Sequence, residues 1–270
     1  MALFQTYPPS PHLAHVVEYY WRSIVSLGES LIQDVPTPLM QGMTFNLHRL
    51  TEKMIFGDKV QEMNDYCYLF GQPAQHRLSK SHATGVDIFG VKFTPTGLYT
   101  LTNIEMQQVA DAILPANDIW GREIEWLCEA MYEAPDVAGM IQIVEHFFWT
   151  KIKERRQAAT PSLEYALRYI QSGQIYSVKD ILEKVYLSER TMQRHFLKQL
   201  GMSPKQYARI CRFNTVRERL EQVPHTNWLE VVYTFGYHDQ SHFIKEFKKF
   251  SGKTPTQYVD ALVNPSLSLF

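Results

Sequence analysis

The spacing of apolar residues changes from strand-like to helix-like part-way along the chain. Residues 44–50, 66–72 and 85–93 are short segments rich in aromatic and β-branched side chains, partly alternating with polar ones and separated by Gly and Pro. Such segments are typical of β-strands. We therefore expect residues 1–115 to form a compact β-barrel or sandwich, with a short helix over 94–102 at its edge.

Two stretches after Asp118 have apolar residues at helical spacing. The pattern predicts helices over 119–132 and 136–156, the second beginning after Pro135 and ending in a cationic turn. The apolar stripes are Ile124, Leu127, Cys128 and Met131, then Met140, Ile143, Val144, Phe147 and Phe148. Periodicity leaves open whether these helices cover the β structure or pair with a second chain.

Residues 158–162, AATPS, interrupt the helical pattern, and helix start and stop signals follow them. Ser, Thr or Asp at N-cap positions and Pro in the first turn begin helices, whereas Gly with a positive φ ends them. The signals are Thr160-Pro161, Gly173, Ser177, Ser188, Gly201, Ser203-Pro204, Asp239, Gly252 and Thr254-Pro255. They predict seven helices with two helix-turn-helix units, at 178–200 and 229–250. The predicted fold class is therefore α+β: a β-rich domain with flanking helices over 1–157, then an all-α domain over 158–264.

Residues 188–207 and 239–258 are two versions of one pattern, at an offset of 51 positions. The pairs are Ser188 with Asp239, Met192 with Phe243, Arg194 with Lys245, Phe196 with Phe247, Lys198 with Lys249, Gly201 with Gly252, Ser203 with Thr254, Pro204 with Pro255, and Tyr207 with Tyr258. Packing alone would not require a cationic position to recur in register with caps and core positions. The repeat indicates a protein that contacts one polymer twice, and we expect that polymer to be duplex DNA.

Each copy places a polar face beside an apolar stripe, and the stripe is expected to be buried. The stripes are Met192, Phe196 and Leu200, then Phe243, Phe247 and Phe250. In the major groove Arg matches guanine and Gln matches adenine, so the polar faces suit base reading. Those faces carry Arg190, Gln193 and Arg194, then Gln240, Ser241, His242, Lys245 and Lys248. We expect Lys249 and Lys253 to reach phosphates.

The charge is divided unevenly along the chain, whose formal net charge is −1. Residues 158–270 hold 15 Lys and Arg against 10 Asp and Glu, a net +5, whereas residues 1–157 hold 12 against 18, a net −6. A nucleic-acid-binding half joined to a non-binding half has this asymmetry. The sequence has no apolar run long enough for a bilayer, no export signal, and three scattered Cys without a C-x-x-C pair. We expect a cytoplasmic protein without membrane segment, disulfide framework or zinc site.

Two blocks of residues at fixed spacing make the interpretation more specific. The first is Ser188, Met192-Gln193-Arg194-His195-Phe196, Gly201, Pro204, Tyr207 and Arg212. The second is Gly236-Tyr237, Asp239, Ser241-His242-Phe243, Lys245, Phe247-Lys248, Gly252, Thr254-Pro255 and Tyr258. On these blocks residues 178–258 resemble the DNA-binding domain of the AraC family of bacterial transcription regulators. The resemblance implies two helix-turn-helix units joined by a long helix over about 204–222, with recognition helices that enter successive major-groove segments.

The resemblance also implies residue roles. The base readers would be Arg190, Gln193 and Arg194 in the first unit, and Gln240, Ser241, His242 and Lys245 in the second. Arg212 on the linking helix would brace the domain or meet a phosphate. Leu197 departs from the pattern, because a cationic residue often follows Phe at that position and would contact the DNA backbone.

The first half looks like an uncharacterised N-terminal domain of some AraC-type regulators, which would sense a ligand or dimerise. This likeness rests on Phe45-Asn46-Leu47, Phe70-Gly71-Gln72, residues 91–97 and residues 113–121. If this half is a barrel, its mouth is the expected ligand site. Candidate lining residues are Tyr19, Tyr20, Trp21, Phe45, Asn46, His48, Phe70 and Phe93; the alternative is that the aromatic ones are plain core.

The residues give no support for metal or catalytic chemistry. His48, His76 and His82 lack metal-ligand spacing, and we find no nucleophile, phosphate-loop or cofactor motif. The predicted protein is a sequence-specific transcription regulator, not an enzyme, that binds double-stranded DNA, sits on the nucleoid when bound, and responds to an unknown small-molecule effector or to dimerisation. RNA polymerase and a second copy of the chain are further candidate partners. The alternatives are a cupin-like β-barrel enzyme or metal-binding protein with a DNA-binding tail, and an architectural binder without sequence preference.

Overall fold

The computed structural model divides the chain into two compact units, and each is described by itself. The first comprises Met1–Asp34, Met40–Thr160 and His195–Met202, and the second comprises Val35–Leu39, Pro161–Arg194 and Ser203–Phe270. The residues that the structure describes are 3–25, 31–35, 39, 41–48, 52–56, 59–63, 65–72, 78–82, 86–154, 160–173, 178–224 and 227–263. Within these ranges no helix combines the length and apolarity needed to cross a membrane.

The first unit is built on two sheets, so the predicted α+β class is confirmed. The six-stranded sheet is antiparallel, with strand order β1-β2-β9-β4-β7-β10, and the four-stranded sheet has the order β3-β8-β5-β6. The strands are β1 (Leu3–Tyr7), β2 (Val17–Val25), β3 (Leu31–Val35), β4 (Gly42–Asn46), β5 (Glu52–Phe56), β6 (Lys59–Met63), β7 (Cys67–Phe70), β8 (Leu78–His82), β9 (Val86–Phe93) and β10 (Ile113–Pro115). The three strands predicted from sequence correspond to β4, β7 and β9.

The central strands explain why the sequence alternation is only partial. All four residues of β7 are buried, as are the first four of β4. A strand that is covered on both faces has no solvent-exposed face, so its sequence is a nearly continuous run of apolar residues and does not alternate.

Helices follow the sheets, and one of them begins later than the sequence pattern indicates. They are α1 (Gly97–Thr102), a 3₁₀ turn (Met106–Gln108), α2 (Asn117–Trp120), α3 (Arg122–Glu133) and α4 (Val137–Glu154). The helix predicted over 119–132 is interrupted at Gly121, whose φ of +55° is incompatible with a continuous α-helix. The short helix expected within 94–102 is confirmed as α1.

The apolar stripes of α3 and α4 pack on the large sheet. Ile124, Leu127 and Met131 on α3 and Met140, Val144 and Phe148 on α4 are buried in the same hydrophobic cluster as residues of β2, β4, β7 and β9. The ring of Phe148 lies 5.6 Å from that of Phe93, centroid to centroid. Of the two roles left open for these helices, covering the β structure is the one that the first unit displays.

Between residues 160 and 263 the structure describes seven helices, the number predicted; six lie in the second unit, and one is divided between the two units. They are α5 (Pro161–Gln171), α6 (Val178–Val185), α7 (Glu189–Leu200), α8 (Pro204–Gln222), α9 (Trp228–Thr234), α10 (Gln240–Ser251) and α11 (Pro255–Val263). The long helix α8 is central, because it contacts α5, α6, α10 and α11. Phe213 of α8 is fully buried and lies 5.1 Å from the ring of Phe247 and 5.3 Å from that of Phe250.

We predict that Phe148→Ala lowers the free energy of unfolding of the first unit by about 3–5 kcal/mol, because it leaves a cavity between α4 and the sheet. The matched control is Phe4→Ala on β1, whose side chain is 60% exposed and should cost less than about 1 kcal/mol. Urea unfolding followed by tryptophan fluorescence measures both. Equal losses in the two variants would contradict the assignment of Phe148 to the core.

Candidate nucleic-acid interface

The N-terminal ends of α7 and α10 are capped in the same way. The Ser188 hydroxyl accepts a hydrogen bond from the Thr191 backbone N–H (3.2 Å), and the Asp239 carboxylate accepts one from the His242 backbone N–H (2.7 Å). Each cap satisfies a backbone donor that the helix leaves unpaired. Since Ser188 and Asp239 are 51 positions apart, the repeat in the sequence is a repeat in hydrogen bonding.

The cap at Asp239 also carries charge. The backbone N–H of His242 and then the His238 side chain, at 2.9 Å, hold the pKa of the Asp239 carboxyl below its ordinary value. This side chain is therefore an anion at neutral pH, which suits a helix N-terminus. The contribution of the cap to stability is present at neutral pH and is lost as the pH falls through the lowered pKa.

The C-terminal ends of the two helices also match. Gly201 and Gly252 both have φ of +78°, a left-handed conformation that Gly adopts without strain. The next helices then start alike, because the Ser203 hydroxyl accepts from the Gln206 backbone N–H (3.2 Å) and the Thr254 hydroxyl accepts from the Gln257 backbone N–H (3.3 Å). Helices α7 and α10 thus have the same start, length and end.

The apolar stripes predicted for these helices are buried. The six side chains of the stripes, Met192, Phe196, Leu200, Phe243, Phe247 and Phe250, are each at most 4% exposed. Burial fixes the rotation of each helix, so the residues between the stripes must point outward.

The polar faces are exposed as a consequence. Nine of the ten candidate DNA-contacting residues lie on the surface: Arg190, Gln193, Arg194, Gln240, Ser241, His242, Lys245, Lys248 and Lys249. In the part of the chain that the structure describes, the Arg and Lys residues of this set make no ion pair with the protein. Their charges are therefore available to a polyanion. Whether each contacts DNA stays a prediction.

Arg212 differs from the other candidates because it is 8% exposed. Its guanidinium donates to Glu246 Oε1 (2.7 Å) and to the Gly236 carbonyl (3.1 Å), and it lies 4.2 Å from the centre of the Tyr237 ring. These contacts direct the guanidinium into the second unit. Of the two roles that the family resemblance implies, bracing the domain is the one that its position fits.

Glu246 is the residue that sequence reasoning missed. It is 2% exposed on α10 and accepts hydrogen bonds from both Arg209 and Arg212 of α8, one on each carboxylate oxygen. The sequence feature that could have revealed it is a single acidic residue between Phe243 and Phe247 on the apolar side of the helix. The second such feature is a pair of Arg residues three positions apart on α8. This ion-pair network fixes α10 to the long helix α8.

The candidate ligand residues of the first unit are mostly part of its core. Tyr20, Phe45, Phe70 and Phe93 are at most 5% exposed, which fits the alternative of plain core packing. Trp21 stacks on Phe4 and lies over Gly90, its partner across β2 and β9, where a Cβ would come within 2.0 Å of the indole. Tyr19 and Asn46 are half-buried, and His48 is exposed.

Two of these candidates, Phe45 and Asn46, line a cavity of about 330 Å³ within the first unit. No group of three or more His, Cys, Asp or Glu is placed to hold a metal ion among the described residues. His76 lies outside those residues.

Comparison with known proteins agrees with the geometry. Residues 181–261 match a family model described as a helix-turn-helix domain, of the AraC type, and residues 5–115 match one described as a domain of unknown function, DUF6597. Residues 181–261 therefore form an AraC-type helix-turn-helix domain, which is a DNA-binding domain. The proteins to which this part of the chain is similar are transcription regulators rather than enzymes.

The individual relatives of this chain are distant. The Msm operon regulatory protein of Streptococcus mutans is 26% identical over 124 residues, which is 45% of this chain and 44% of that protein. The chain thus matches less than half the length of this curated relative. The ToxT structure from Vibrio cholerae is 14% identical with a TM-score of 0.47, over 97% of this chain and 98% of ToxT. The AraC-like transcriptional activator CuxR is 14% identical with a TM-score of 0.37, over 83% and 81% of the two chains.

We predict that Glu246→Ala lowers the free energy of unfolding of the DNA-binding unit by about 3–5 kcal/mol, because it leaves the Arg212 guanidinium buried without a counter-charge. Glu218→Ala removes an exposed acid from α8 and should change it by less than about 0.5 kcal/mol. Urea unfolding followed by circular dichroism compares the two. A Glu246 variant as stable as the Glu218 variant would show that the network does not hold the unit together.

Proposed function

We propose that the protein is a sequence-specific transcription regulator in which α7 and α10 each enter a major groove of duplex DNA. The observation that carries the proposal is the repeat at an offset of 51 positions: cap, buried stripe, terminal Gly and exposed cation recur together in both helices. Caps and buried stripes are required by folding. The exposed cations Arg194 and Lys245 are not, so their recurrence needs a ligand to explain it.

The two helices differ in the chemistry that they expose. Helix α7 offers Arg190, Gln193 and Arg194, which suit bidentate contacts to guanine and adenine. Helix α10 offers Gln240, Ser241 and His242 in its first turn, followed by Lys245. Lys248 and Lys249 near its end would bind phosphates of the DNA backbone. Such contacts increase the affinity for DNA but do not distinguish one base sequence from another.

The long helix α8 has a length that suits two contacts on one side of the duplex. Its 19 residues span roughly 28 Å at 1.5 Å per residue, close to the roughly 34 Å of one DNA turn. A rigid element of this length between two helix-turn-helix units supports recognition of adjacent major-groove segments.

The first unit would supply the regulation, either by binding a small molecule or by pairing with a second copy of the chain. Its helices α3 and α4 cover the sheet, and α3 still exposes Trp126 and Tyr132, which are 67% and 60% exposed. The partners in this proposal are double-stranded DNA, an effector, a second copy of the chain and RNA polymerase. The protein would act in the cytoplasm, on the nucleoid.

We predict that Arg194→Ala and Lys245→Ala each relax the preference at particular base pairs by about 5- to 150-fold, the equivalent of a lost base contact. Lys249→Ala should weaken binding to all sequences alike and reduce the salt slope by about one. Binding to a library of randomised duplexes, at several salt concentrations, measures both effects. Lys153→Ala, which removes an exposed cation from α4, is the matched control and should change neither.

Two outcomes would contradict this assignment. Base preferences that are unchanged in the Arg194 and Lys245 variants would show that these residues do not read bases. Equal affinity of the unaltered protein for random and selected duplexes, with a steep salt slope for both, would indicate an architectural binder.

We also predict that one chain recognises an asymmetric site with two segments of unequal strength. Because α7 exposes two Arg and a Gln that suit bidentate base contacts, whereas α10 exposes more Lys for phosphates, single-base substitutions should cost more in the segment that α7 contacts, by about 1–3 kcal/mol per mismatch there. Substitution scanning of the selected site provides the test. A palindromic profile for a single bound chain would oppose the prediction.

A further inference from the structure

The first unit has an open cavity at the end of its large sheet. The cavity measures about 330 Å³ and lies where β4 ends, β7 begins, and α2 and α3 pass by. This volume is at the lower end of the range for small-molecule sites. Its lining residues are Phe45, Asn46, Leu47, Asp65, Tyr66, Cys67, Asn117, Glu125, Cys128, Glu129, Met131 and Tyr132.

The frame of the cavity is fixed by the fold. Phe45 and Cys67 are register partners in the antiparallel pair of β4 and β7, and the Asn46 backbone N–H donates to the Tyr66 carbonyl (2.8 Å). On the other side, the buried ammonium of Lys151 on α4 bonds Glu123 of α3 at 2.6 Å. These contacts hold the walls of the cavity in place, which reduces the entropic cost of binding a ligand.

Helix α3 presents a second stripe to this cavity, besides the one that packs on the sheet. Glu125, Cys128, Glu129 and Tyr132 recur at intervals of three and four residues, so they share one face of the helix. Ile124, Leu127 and Met131 form the neighbouring buried stripe. Folding explains the buried stripe but does not require two acids and a Tyr beside an open space.

The cavity has an apolar floor and an acidic, aromatic rim. Phe45, Cys67 and Met131 are at most 2% exposed and form the floor. The rim carries the exposed carboxylates Asp65, Glu125 and Glu129 and the exposed rings of Tyr66 and Tyr132. No Lys or Arg is among the lining residues that the structure describes.

The buried Cys67 thiol belongs to the apolar floor of the cavity. Burial, followed by a hydrogen bond with the Cys128 thiol, raises the pKa of the Cys67 thiol well above its usual range. Cys67 is therefore a protonated, apolar group at neutral pH. The negative charge of the cavity comes from the carboxylates at its rim, where a ligand would enter.

We propose that this cavity binds a small organic cation that also carries an apolar group. The apolar group would occupy the floor, and the cation would lie among the three carboxylates and the two Tyr rings, which attract it by Coulomb and cation–π interactions. An anionic ligand of the same shape would be repelled. That this ligand is the effector rests on the proposed function; that the cavity binds it does not.

The binding test uses the full-length protein without DNA and benzyltrimethylammonium as the probe. We expect saturable binding in calorimetry, weakened by added salt because the rim is exposed. Glu125→Gln together with Glu129→Gln should weaken binding about 5-fold or more, since each exposed ion pair contributes up to about 1 kcal/mol. Glu133→Gln, which removes an exposed acid of α3 that does not line the cavity, is the matched control and should bind like the unaltered protein.

A thiol provides an independent readout of the location. Cys128 is partly exposed, whereas Cys67 and Cys211 are buried, and burial raises the pKa of the Cys211 thiol to about 12. An alkylating reagent should therefore modify Cys128 first, and the bound cation should slow that reaction in proportion to occupancy.

Each of three results would overturn the proposal. The first is equal binding of phenylacetate, or of neopentylbenzene as the uncharged isostere of the probe. The second is unchanged affinity in the Glu125/Glu129 double variant. The third is binding that leaves the alkylation of Cys128 unaffected. A separate measurement of DNA affinity with and without the cation tests the effector role, so its failure would leave the binding site standing.

Discussion

The buried carboxylate of Glu246 is the constraint on which the arrangement of the DNA-binding unit depends. It lies among phenylalanines on α10 and accepts from both Arg209 and Arg212 of α8. A charge that has lost its water must keep its partners, so α10 cannot turn or slide on α8 without breaking these bonds. Hydrophobic contacts between Phe213 and Phe247 would tolerate several packings, whereas this network allows one. Rigid placement of a recognition helix is a condition for reading bases at fixed spacing.

The two halves of the repeat show how the same frame can carry different chemistry. Caps, buried stripes and terminal glycines coincide, because a helix that must start, pack and stop in the same way needs the same residues at those positions. The outward positions are free of that requirement, and there the copies diverge toward Arg and Gln in α7 and toward Lys in α10. The two copies therefore differ at exposed positions, which packing does not constrain and a ligand would contact. The helix that is richer in Lys is also the one fixed by the Glu246 network.

The first unit separates packing from binding in a similar way along α3. One stripe of this helix is buried against the sheet, and the adjacent stripe faces an open cavity with acidic and aromatic side chains. Most of the aromatic residues proposed from sequence to line a barrel mouth instead fill the interior, as Tyr20, Phe70 and Phe93 do. An aromatic residue on a strand has the same appearance in sequence whether it lines a pocket or fills a core, since only the presence of neighbours distinguishes them.

Local signals were enough to predict the helices of residues 161–263, their caps and their exposed polar faces, because capping bonds and helical stripes depend on residues three or four positions apart. The same signals placed β4, β7, β9 and α1, but they missed the break at Gly121, where one left-handed glycine interrupts an otherwise helical pattern. Contacts between distant segments could not be found in this way. The pairing of Glu246 with Arg209 and Arg212, the interior position of Arg212 and the cavity between β4, β7 and α3 were decided only by the folded chain. Each brings together residues that lie more than 20 positions apart, and nothing in their local sequence fixes their distance.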